Sequence, residues 1–212
     1  MGYELDHFFI LVEHPEKAAQ LLESQGLKRG FSRAHPGQGT SNICFEFSNS
    51  KLELLWIRDA GEANNGVASE LHFCERTSSD DASPFGLILN KTDLATTESP
   101  FNGWDYQADY LPLGKAFHIG ENSADLSEPL CIYLPFMQPP VRVIHSGMFQ
   151  SISQVQITVP VTSISQTLKQ AAVADRLSVK SGDQHLIEVS FDNQQLALSR
   201  DFRPELPLII HW

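Results

Sequence analysis

The sequence predicts an α+β fold in which two βαβββ modules enclose one small-molecule cavity, with a β-rich segment inserted between them. Residues 1–60 show a strand, an amphipathic helix and three further strands, and residues 151–212 show the same order with weaker signals. The intervening residues 61–150 contain short strand-like runs bounded by Pro, Gly or Asn. Each module leaves an apolar sheet face that another unit must cover, so we expect one compact domain.

The first module has the clearest signals. Tyr3 to Glu13 predicts a strand, because the run is β-branched and aromatic and lacks Gly and Pro. Pro15 suits the first position of a helix, apolar residues recur at helical spacing after it, and Gly26 is a natural stop. Strands are then predicted over residues 30–34, 41–47 and 51–58, with a turn-rich loop over residues 35–40.

The second module and the insert follow from weaker patterns. Strands are predicted over residues 151–160, 176–180, 185–191 and 194–200, with a helix capped by Ser163 after the first of them. The insert is predicted to hold a helix over residues 62–77 and strands over residues 85–89, 104–110, 116–119 and 130–136. An extra antiparallel sheet layer or a lid is the simplest account of it.

Composition excludes several classes of partner. The 212 residues carry 15 basic and 26 acidic side chains, a net charge of -11, and no basic stripe, which argues against nucleic acid. No apolar stretch approaches the roughly 18 to 20 residues that span a bilayer, and the N-terminus lacks the pattern of a signal peptide. The three cysteines form no CxxC motif and fit reduced thiols. We expect a cytoplasmic protein with a small-molecule ligand, and leave a homodimer open.

The two modules differ in the side chains that could bind a ligand. In the register of the repeat, His7 matches Gln154, and Glu53 matches Ala197. Four strands placed around one cavity could each contribute one inward residue to a metal or ligand site. One of those four positions is alanine, so the first copy carries the stronger donors.

Glu53 and His7 have structural as well as functional interpretations. Glu53 lies between leucines, where an ionised carboxylate is costly unless it is paired or coordinates a metal. It could instead face solvent, pair with Arg33 or Arg58, or act as a general base with a raised pKa. His7 could be a packed or hydrogen-bonded residue of the strand.

The loop before the third strand supplies further candidates. Arg33 could bind a carboxylate or phosphate group, and His35 and Gln38 lie beside glycines on a loop that could close over a cavity. The alternative is a hairpin turn in which the glycines adopt positive φ. Trp56 could line an apolar pocket, although aromatic residues on strands belong more often to the core.

The order and spacing of these pieces resemble the vicinal oxygen chelate superfamily, which includes glyoxalase I, extradiol dioxygenases and fosfomycin or bleomycin resistance proteins. The resemblance rests on the paired modules, the opening strand with Leu5-Asp6-His7 and the closing strand with Leu52-Glu53-Leu54. The runs over residues 35–42, 52–56 and 83–86 are similar to glyoxalase-like domain proteins. The resemblance covers nearly the whole chain.

The resemblance implies a curved sheet from each module and a cavity that holds a divalent ion in metal-dependent members. Carried over by position, the metal ligands would be His7, Glu53 and Gln154. Such a mixed nitrogen and oxygen set suits Zn²⁺, Ni²⁺, Mn²⁺ or Fe²⁺. Ala197 departs from the pattern, since it removes the carboxylate that would serve as the base in glyoxalase I. Independently of the resemblance, Glu53 is the candidate catalytic residue, as a general base.

Two functions therefore remain open from the sequence. The first is a metal-dependent lyase or isomerase that acts on a small carbonyl or oxygen-chelating substrate. The second is a metal-free protein that binds or sequesters a small molecule in the same cavity. Dioxygenase chemistry would need two histidines and a carboxylate, and position 154 is glutamine.

Overall fold

The computed structural model describes residues 2–137 and 147–212, which contain one eight-stranded and one five-stranded β-sheet. Residues 138–146, at the end of the predicted insert, lie outside the described part of the chain. The eight strands of the larger sheet are β1 (Tyr3–Leu11), β2 (Arg29–His35), β3 (Thr40–Glu46), β4 (Lys51–Ile57), β5 (Phe85–Lys91), β6 (Gly103–Tyr106), β7 (Phe117–Gly120) and β8 (Leu130–Tyr133).

The strand order of the larger sheet is symmetric about its centre. The order is β2-β3-β4-β1-β5-β8-β7-β6. β1 runs parallel to β4, β5 runs parallel to β8, and the two halves join where β1 pairs antiparallel with β5. Two modules with the same strand order thus form one continuous sheet. The predicted α+β class is confirmed.

The position of the second module differs from the sequence prediction. It occupies residues 85–133, inside the segment predicted to be an insert, rather than residues 151–212. Its β6, β7 and β8 have only four residues each, and the connection from β5 to β6 contains no helix. Because the repeat is recognised by its helix and by long alternating strands, this copy gives little signal in the sequence.

Residues 152–211 form the five-stranded sheet, whose order is β10-β9-β11-β13-β12. This order is not that of a βαβββ module. The strand predicted over residues 194–200 is mostly absent, because residues 192–194 and Ala197 have positive φ and turn the chain. The strands are β9 (Ile152–Val159), β10 (Leu177–Ser181), β11 (Leu186–Phe191), β12 (Ser199–Asp201) and β13 (Leu208–His211).

The helices are short apart from the first. The helix predicted over residues 62–77 is broken, since Gly66 and His72 have positive φ. It becomes α2, a 3-10 segment at Gly66–Leu71, and α3. The α-helices are α1 (Pro15–Ser24), α2 (Ala60–Ala63), α3 (Phe73–Ser78) and α4 (Gln166–Ala171).

The two faces of the eight-stranded sheet have different partners. Alternate side chains such as Phe8 and Leu54 pack in a core with Val155 of the five-stranded sheet and with α1 and α4. The opposite face, which includes Phe9 and Leu55, packs against the segment at residues 66–73 in a second core. The five-stranded sheet therefore backs the larger sheet, and the opposite face is left to form a cavity.

Among the described residues, no helix combines the length and the apolar character that a membrane crossing requires.

Candidate functional site

A cavity of about 100 Å³ lies on the face of the eight-stranded sheet that points away from the five-stranded sheet. Its polar side comes from the first module: His7, Arg33, His35, Gln38, Lys51 and Glu53. Its apolar side comes mostly from the second module and the residue after it: Ile88, Tyr106, Phe117, Ile119, Ile132 and Leu134. Phe9 and Leu55 of the first module also contribute to it. Leu71 and Phe73 cover it from the helical segment.

The cavity is small. Pockets for drug-sized ligands have volumes of about 300 to 1,000 Å³, so this one fits a molecule of only a few non-hydrogen atoms. A larger groove of about 710 Å³ lies beside α1, but its lining does not include the polar cluster of the first module. The polar cluster therefore points to the small cavity as the candidate site.

His7 is held between two carboxylates. The ladder between β1 and β5 is irregular between Leu5 and His7, which leaves Asp6 as an extra residue on β1. Such a bulge redirects side chains, and here the Asp6 carboxylate contacts Nδ1 of His7 at 2.5 Å. Nε2 of His7 lies 3.5 Å from Oε1 of Glu53. Asp6 thus orients the imidazole through Nδ1, and Nε2 is directed at the Glu53 carboxylate in the cavity.

Glu53 is buried, and it is stabilised in its charged form. Its exposed fraction is 7%, and the Cys44 thiol donates a hydrogen bond to Oε1 at 3.3 Å. Burial alone would raise its pKa, but the nearby His7 and Lys51 and the Cys44 hydrogen bond outweigh that effect, so the pKa of Glu53 is lowered. The raised pKa expected for Glu53 is therefore not found, and its role as a base stays a prediction.

His35 lies at the centre of a directional hydrogen-bond network. Nε of Arg33 donates to Nε2 of His35 at 3.3 Å, so the proton of the neutral ring belongs on Nδ1, which donates to Oγ1 of Thr40 at 2.9 Å. The Gln38 amide also donates to Thr40 at 2.8 Å, and the Tyr110 hydroxyl donates to Gln38 at 2.9 Å. Burial and the charge of Arg33 lower the pKa of His35 to about 4.

The loop that carries these residues is a glycine turn as well as a wall of the cavity. Gly37 and Gly39 have φ of 75° and 72°, as the turn interpretation requires. A Cβ on Gly39 would lie 2.3 Å from the carbonyl oxygen of Asp59, so the turn packs directly on the start of α2. The turn thereby places His35 and Gln38 beside the cavity.

The structure does not bring every predicted site residue together. His7, Arg33, His35, Gln38 and Glu53 line one cavity. Trp56 instead packs against the core on the opposite face of the sheet.

The second copy in the sequence repeat also lies elsewhere. Gln154 lies on the five-stranded sheet, where its amide donates to Ser178 at 3.1 Å, and it does not line the cavity. Ala197 lies in a turn with φ of 52°, so it does not occupy a strand position equivalent to Glu53.

The donors of the cavity can be compared with what a resident metal requires. Nε2 of His7 and Oε1 of Glu53, 3.5 Å apart, have the spacing of two ligands on one tetrahedral ion with bonds of about 2.1 Å. A catalytic zinc site has three protein ligands, yet within residues 2–137 and 147–212 no group of three or more His, Cys, Asp or Glu side chains could hold an ion. Arg33 adds a positive charge to the same cavity. The donor set therefore does not fit a three-ligand metal centre.

Several residues of the site were not predicted from the sequence as site residues. Asp6 alternates with His7 and would face the other way in a regular strand, so only the bulge brings them together. Tyr110 lies 72 residues from its partner Gln38. The opposing wall of the cavity, with Ile88 and Ile132, belongs to the second module, which the sequence patterns did not predict. The one available signal is Lys51, two positions before Glu53 and thus on the same face of β4.

A family model for the glyoxalase-like domain matches residues 5–115 of the chain. That stretch contains the first module, the cover over the cavity and the start of the second module. The chain belongs to the glyoxalase-like domain family. The resemblance to the vicinal oxygen chelate superfamily is thereby confirmed. The polar residues of the candidate site lie within the matched part of this glyoxalase-like protein, whereas part of its apolar wall lies beyond it.

A solved structure of low sequence identity shows the same fold. A hypothetical protein from Staphylococcus aureus has a TM-score of 0.58 and 11% identity, and the match covers 100% of this chain and 99% of that chain. A mutant of 4-hydroxymandelate synthase from Streptomyces coelicolor has a TM-score of 0.43 and 12% identity, with 99% of this chain and 62% of that chain covered. No curated protein matches the glyoxalase-like chain.

Proposed function

We propose that this glyoxalase-like protein binds a small oxygen-bearing molecule in the cavity without a metal held by three protein ligands. The observation that carries the proposal is the asymmetry of the two modules. His7 of β1 pairs with Ile88 of β5 in the ladder that joins the modules. Glu53 of β4 lines the cavity from the first module, whereas β8 of the second module contributes Ile132. The second module thus supplies hydrocarbon where a further pair of donors would be needed.

The cavity suits a molecule with one polar end and one apolar end. Arg33 can donate hydrogen bonds to a carbonyl or carboxylate oxygen, and the isoleucines and Phe117 can pack on a short hydrocarbon body. The lowered pKa of Glu53 makes its carboxylate a weak proton acceptor, and His7 and Cys44 already contact it. These properties favour binding or sequestration over proton abstraction.

A metal-dependent lyase or isomerase is the competing proposal, and one observation favours it. Histidines that bind a metal through one ring nitrogen commonly donate the other N–H to a carboxylate. The contact of Asp6 with Nδ1 of His7 has this form, and it leaves Nε2 directed at Glu53. In such an enzyme His7 and Glu53 would be the two protein ligands, and water or substrate would supply the remaining ligands of the metal.

Elemental analysis separates the two proposals. Protein purified without chelator is analysed for Zn, Ni, Mn and Fe, alongside Glu53→Gln and the control Glu188→Gln. Glu188 is a matched control, since its carboxylate also lies close to a histidine, 3.7 Å from Nε2 of His211, but on the five-stranded sheet. Stoichiometric metal that is lost only in Glu53→Gln would sink the metal-free proposal. Trace metal in all three proteins supports it.

Ligand binding is tested on the same protein after treatment with EDTA. Isoleucine methyl groups labelled with ¹³C report on the cavity, because Ile88, Ile119 and Ile132 line it. Pyruvate, isobutyrate and isobutyramide are the probes, chosen for their size. We expect saturable shifts of these three methyl signals with at least one probe. Unchanged spectra with all three probes would contradict the proposed binding function.

A further inference from the structure

The cavity is lined by one arginine, Arg33, that has no acidic partner within the described part of the chain. We infer that the ligand is a small carboxylate that binds to the guanidinium of Arg33. His35 positions this guanidinium. This inference rests on the proposed binding function and specifies the chemical class of its ligand. It follows from the partners of Arg33, from the charges around it and from the size of the cavity.

Arg33 differs from several of the other arginines in its partner. Arg29, Arg58 and Arg203 each form an ion pair with an aspartate or glutamate. Arg33 instead donates from Nε to the imidazole of His35. In a protein with a net charge of -11, acidic partners are plentiful. An arginine directed at a neutral ring keeps its positive charge available for a ligand.

The guanidinium of Arg33 is oriented and has donors to spare. Its Nε is fixed by His35, its Cζ lies 5.7 Å from the centre of the Tyr110 ring, and its backbone N–H donates to Oδ1 of Asn42 at 3.1 Å. Within residues 2–137 and 147–212, its two terminal nitrogens have no hydrogen-bond partner or ion pair. A planar fork of two free N–H₂ groups matches the two oxygens of a carboxylate.

The remaining charges of the cavity offset one another and leave Arg33 as the site for an anion. The carboxylates of Asp6 and Glu53 are already in contact with His7, so they are partly compensated. Lys51 also lines the cavity, with its ammonium 5.8 Å from the centre of the Phe31 ring. The charge of Lys51 lowers the pKa of Glu53 and of Asp6, so the ammonium and these carboxylates offset one another. Among the described residues, Arg33 is therefore the cation that an entering carboxylate meets without an acidic partner.

His35 acts on the ligand through Arg33 and not directly. Its Nε2 is the acceptor that fixes Nε of Arg33, and its Nδ1 is fixed in turn by Thr40. Gln38 and Tyr110 complete the support. A side chain with an acceptor in the place of Nε2 should keep Arg33 in position, and a side chain without one should release it.

The test compares isobutyrate with isobutyramide, which has nearly the same shape and no charge. Dissociation constants are measured from the isoleucine methyl shifts for the native protein, for Arg33→Gln and for the control Arg203→Gln, which changes the net charge equally. We expect Arg33→Gln to weaken isobutyrate binding by about tenfold or more, as the loss of a charge-assisted hydrogen bond implies. Isobutyramide binding should change little, and Arg203→Gln should change neither.

The outcomes separate this inference from the function on which it rests. Equal affinity of native protein for isobutyrate and isobutyramide overturns the carboxylate inference and leaves small-molecule binding intact. Failure of pyruvate, isobutyrate and isobutyramide to bind overturns both. For the role of His35, we expect His35→Gln to keep the preference for isobutyrate and His35→Leu to lose it. Loss of the preference in both variants would mean that His35 does not act through its Nε2 acceptor.

Discussion

At the scale of single residues, the state of His35 follows from its surroundings. The side chain is 4% exposed, accepts from Arg33 and donates to Thr40. A second proton would remove the acceptor and place a cation beside Arg33. The buried ring is therefore held neutral, and its pKa is about 4 instead of 6.5.

This shift predicts a pH dependence of stability. Because the folded pKa lies below the unfolded pKa, the contribution of His35 is fully present above pH 6.5 and is lost as the pH falls from 6.5 to about 4. A shift of this size corresponds to roughly 3 kcal/mol. We expect urea unfolding at a series of pH values to show this loss and His35→Gln to show a flatter profile. Parallel profiles for the two proteins would contradict it.

At the scale of elements, the junction of β1 and β5 leaves no room for a side chain at Gly86. A Cβ there would lie 2.0 Å from Cε1 of Phe9, which lines the cavity. The phenyl ring fills the space beside the glycine and packs against Phe73, with ring centroids 6.0 Å apart. The absence of a side chain at Gly86 thus makes room for the Phe9 ring where β1 and β5 join the two modules; this junction is called the seam.

We expect Gly86→Ala to lower the free energy of unfolding by about 1 to 3 kcal/mol, because the Phe9 ring must move into the cavity or distort the seam. Chemical denaturation measures the effect. Gly147→Ala is the control, since the nearest atom to its added Cβ is Cε of Lys28 at 3.8 Å. Equal stability of the two variants would show that the seam can accommodate the methyl group.

A second element depends on a carboxylate from another part of the chain. Glu128 is 1% exposed, and its carboxylate accepts hydrogen bonds from the backbone N–H and hydroxyl of Ser165, the N-cap of α4, at 2.6 and 2.5 Å. The amide of Asn122 donates to the same group at 3.0 Å. Glu128 therefore fixes the end of the second module to the helix of the backing sheet.

We expect Glu128→Gln to reduce the unfolding free energy by about 1 to 3 kcal/mol, since an amide NH₂ group cannot accept the bonds that a carboxylate oxygen accepts. Thermal or urea denaturation provides the measurement. The exposed Glu121 offers the matched control Glu121→Gln, which removes the same charge. A similar change in both variants would indicate that only net charge matters.

At the scale of the whole molecule, the five-stranded sheet covers an apolar surface and does not form the cavity. Phe8, Ile10, Leu52 and Leu54 of the larger sheet are buried in the same core as β9 and β11. Every group that lines the candidate site belongs to residues 7–134. The chain thus separates a unit that carries the site from a unit that stabilises it.

This arrangement predicts that residues 1–137 cannot stand alone, although they contain the entire cavity. Removal of residues 138–212 would expose a contiguous apolar face, which favours aggregation. Size-exclusion chromatography of the fragment should show aggregates, and its thermal melting should lack a cooperative transition. A monomeric fragment that melts cooperatively would contradict the assigned role of the backing sheet.

The sequence by itself determined the first module and its polar residues. β1, α1, β3 and β4 follow from local alternation, helical spacing and turn residues, and the strand register alone places Lys51 and Glu53 on one face. The same local patterns could not locate the second module, since its strands are short and its crossover has no helix. They instead indicated a repeat in residues 151–212 that forms a different sheet.

Only the tertiary structure decided which residues meet. The partner of His7 depends on a bulge at Asp6, the apolar wall depends on the pairing of β1 with β5, and the support of Arg33 depends on a tyrosine far along the chain. Gln154 and Trp56 do not line the cavity. Gln154 belongs to the five-stranded sheet, and Trp56 packs on the opposite face of the larger sheet. Local sequence specifies which face a side chain occupies, whereas long-range strand pairing specifies what that face meets.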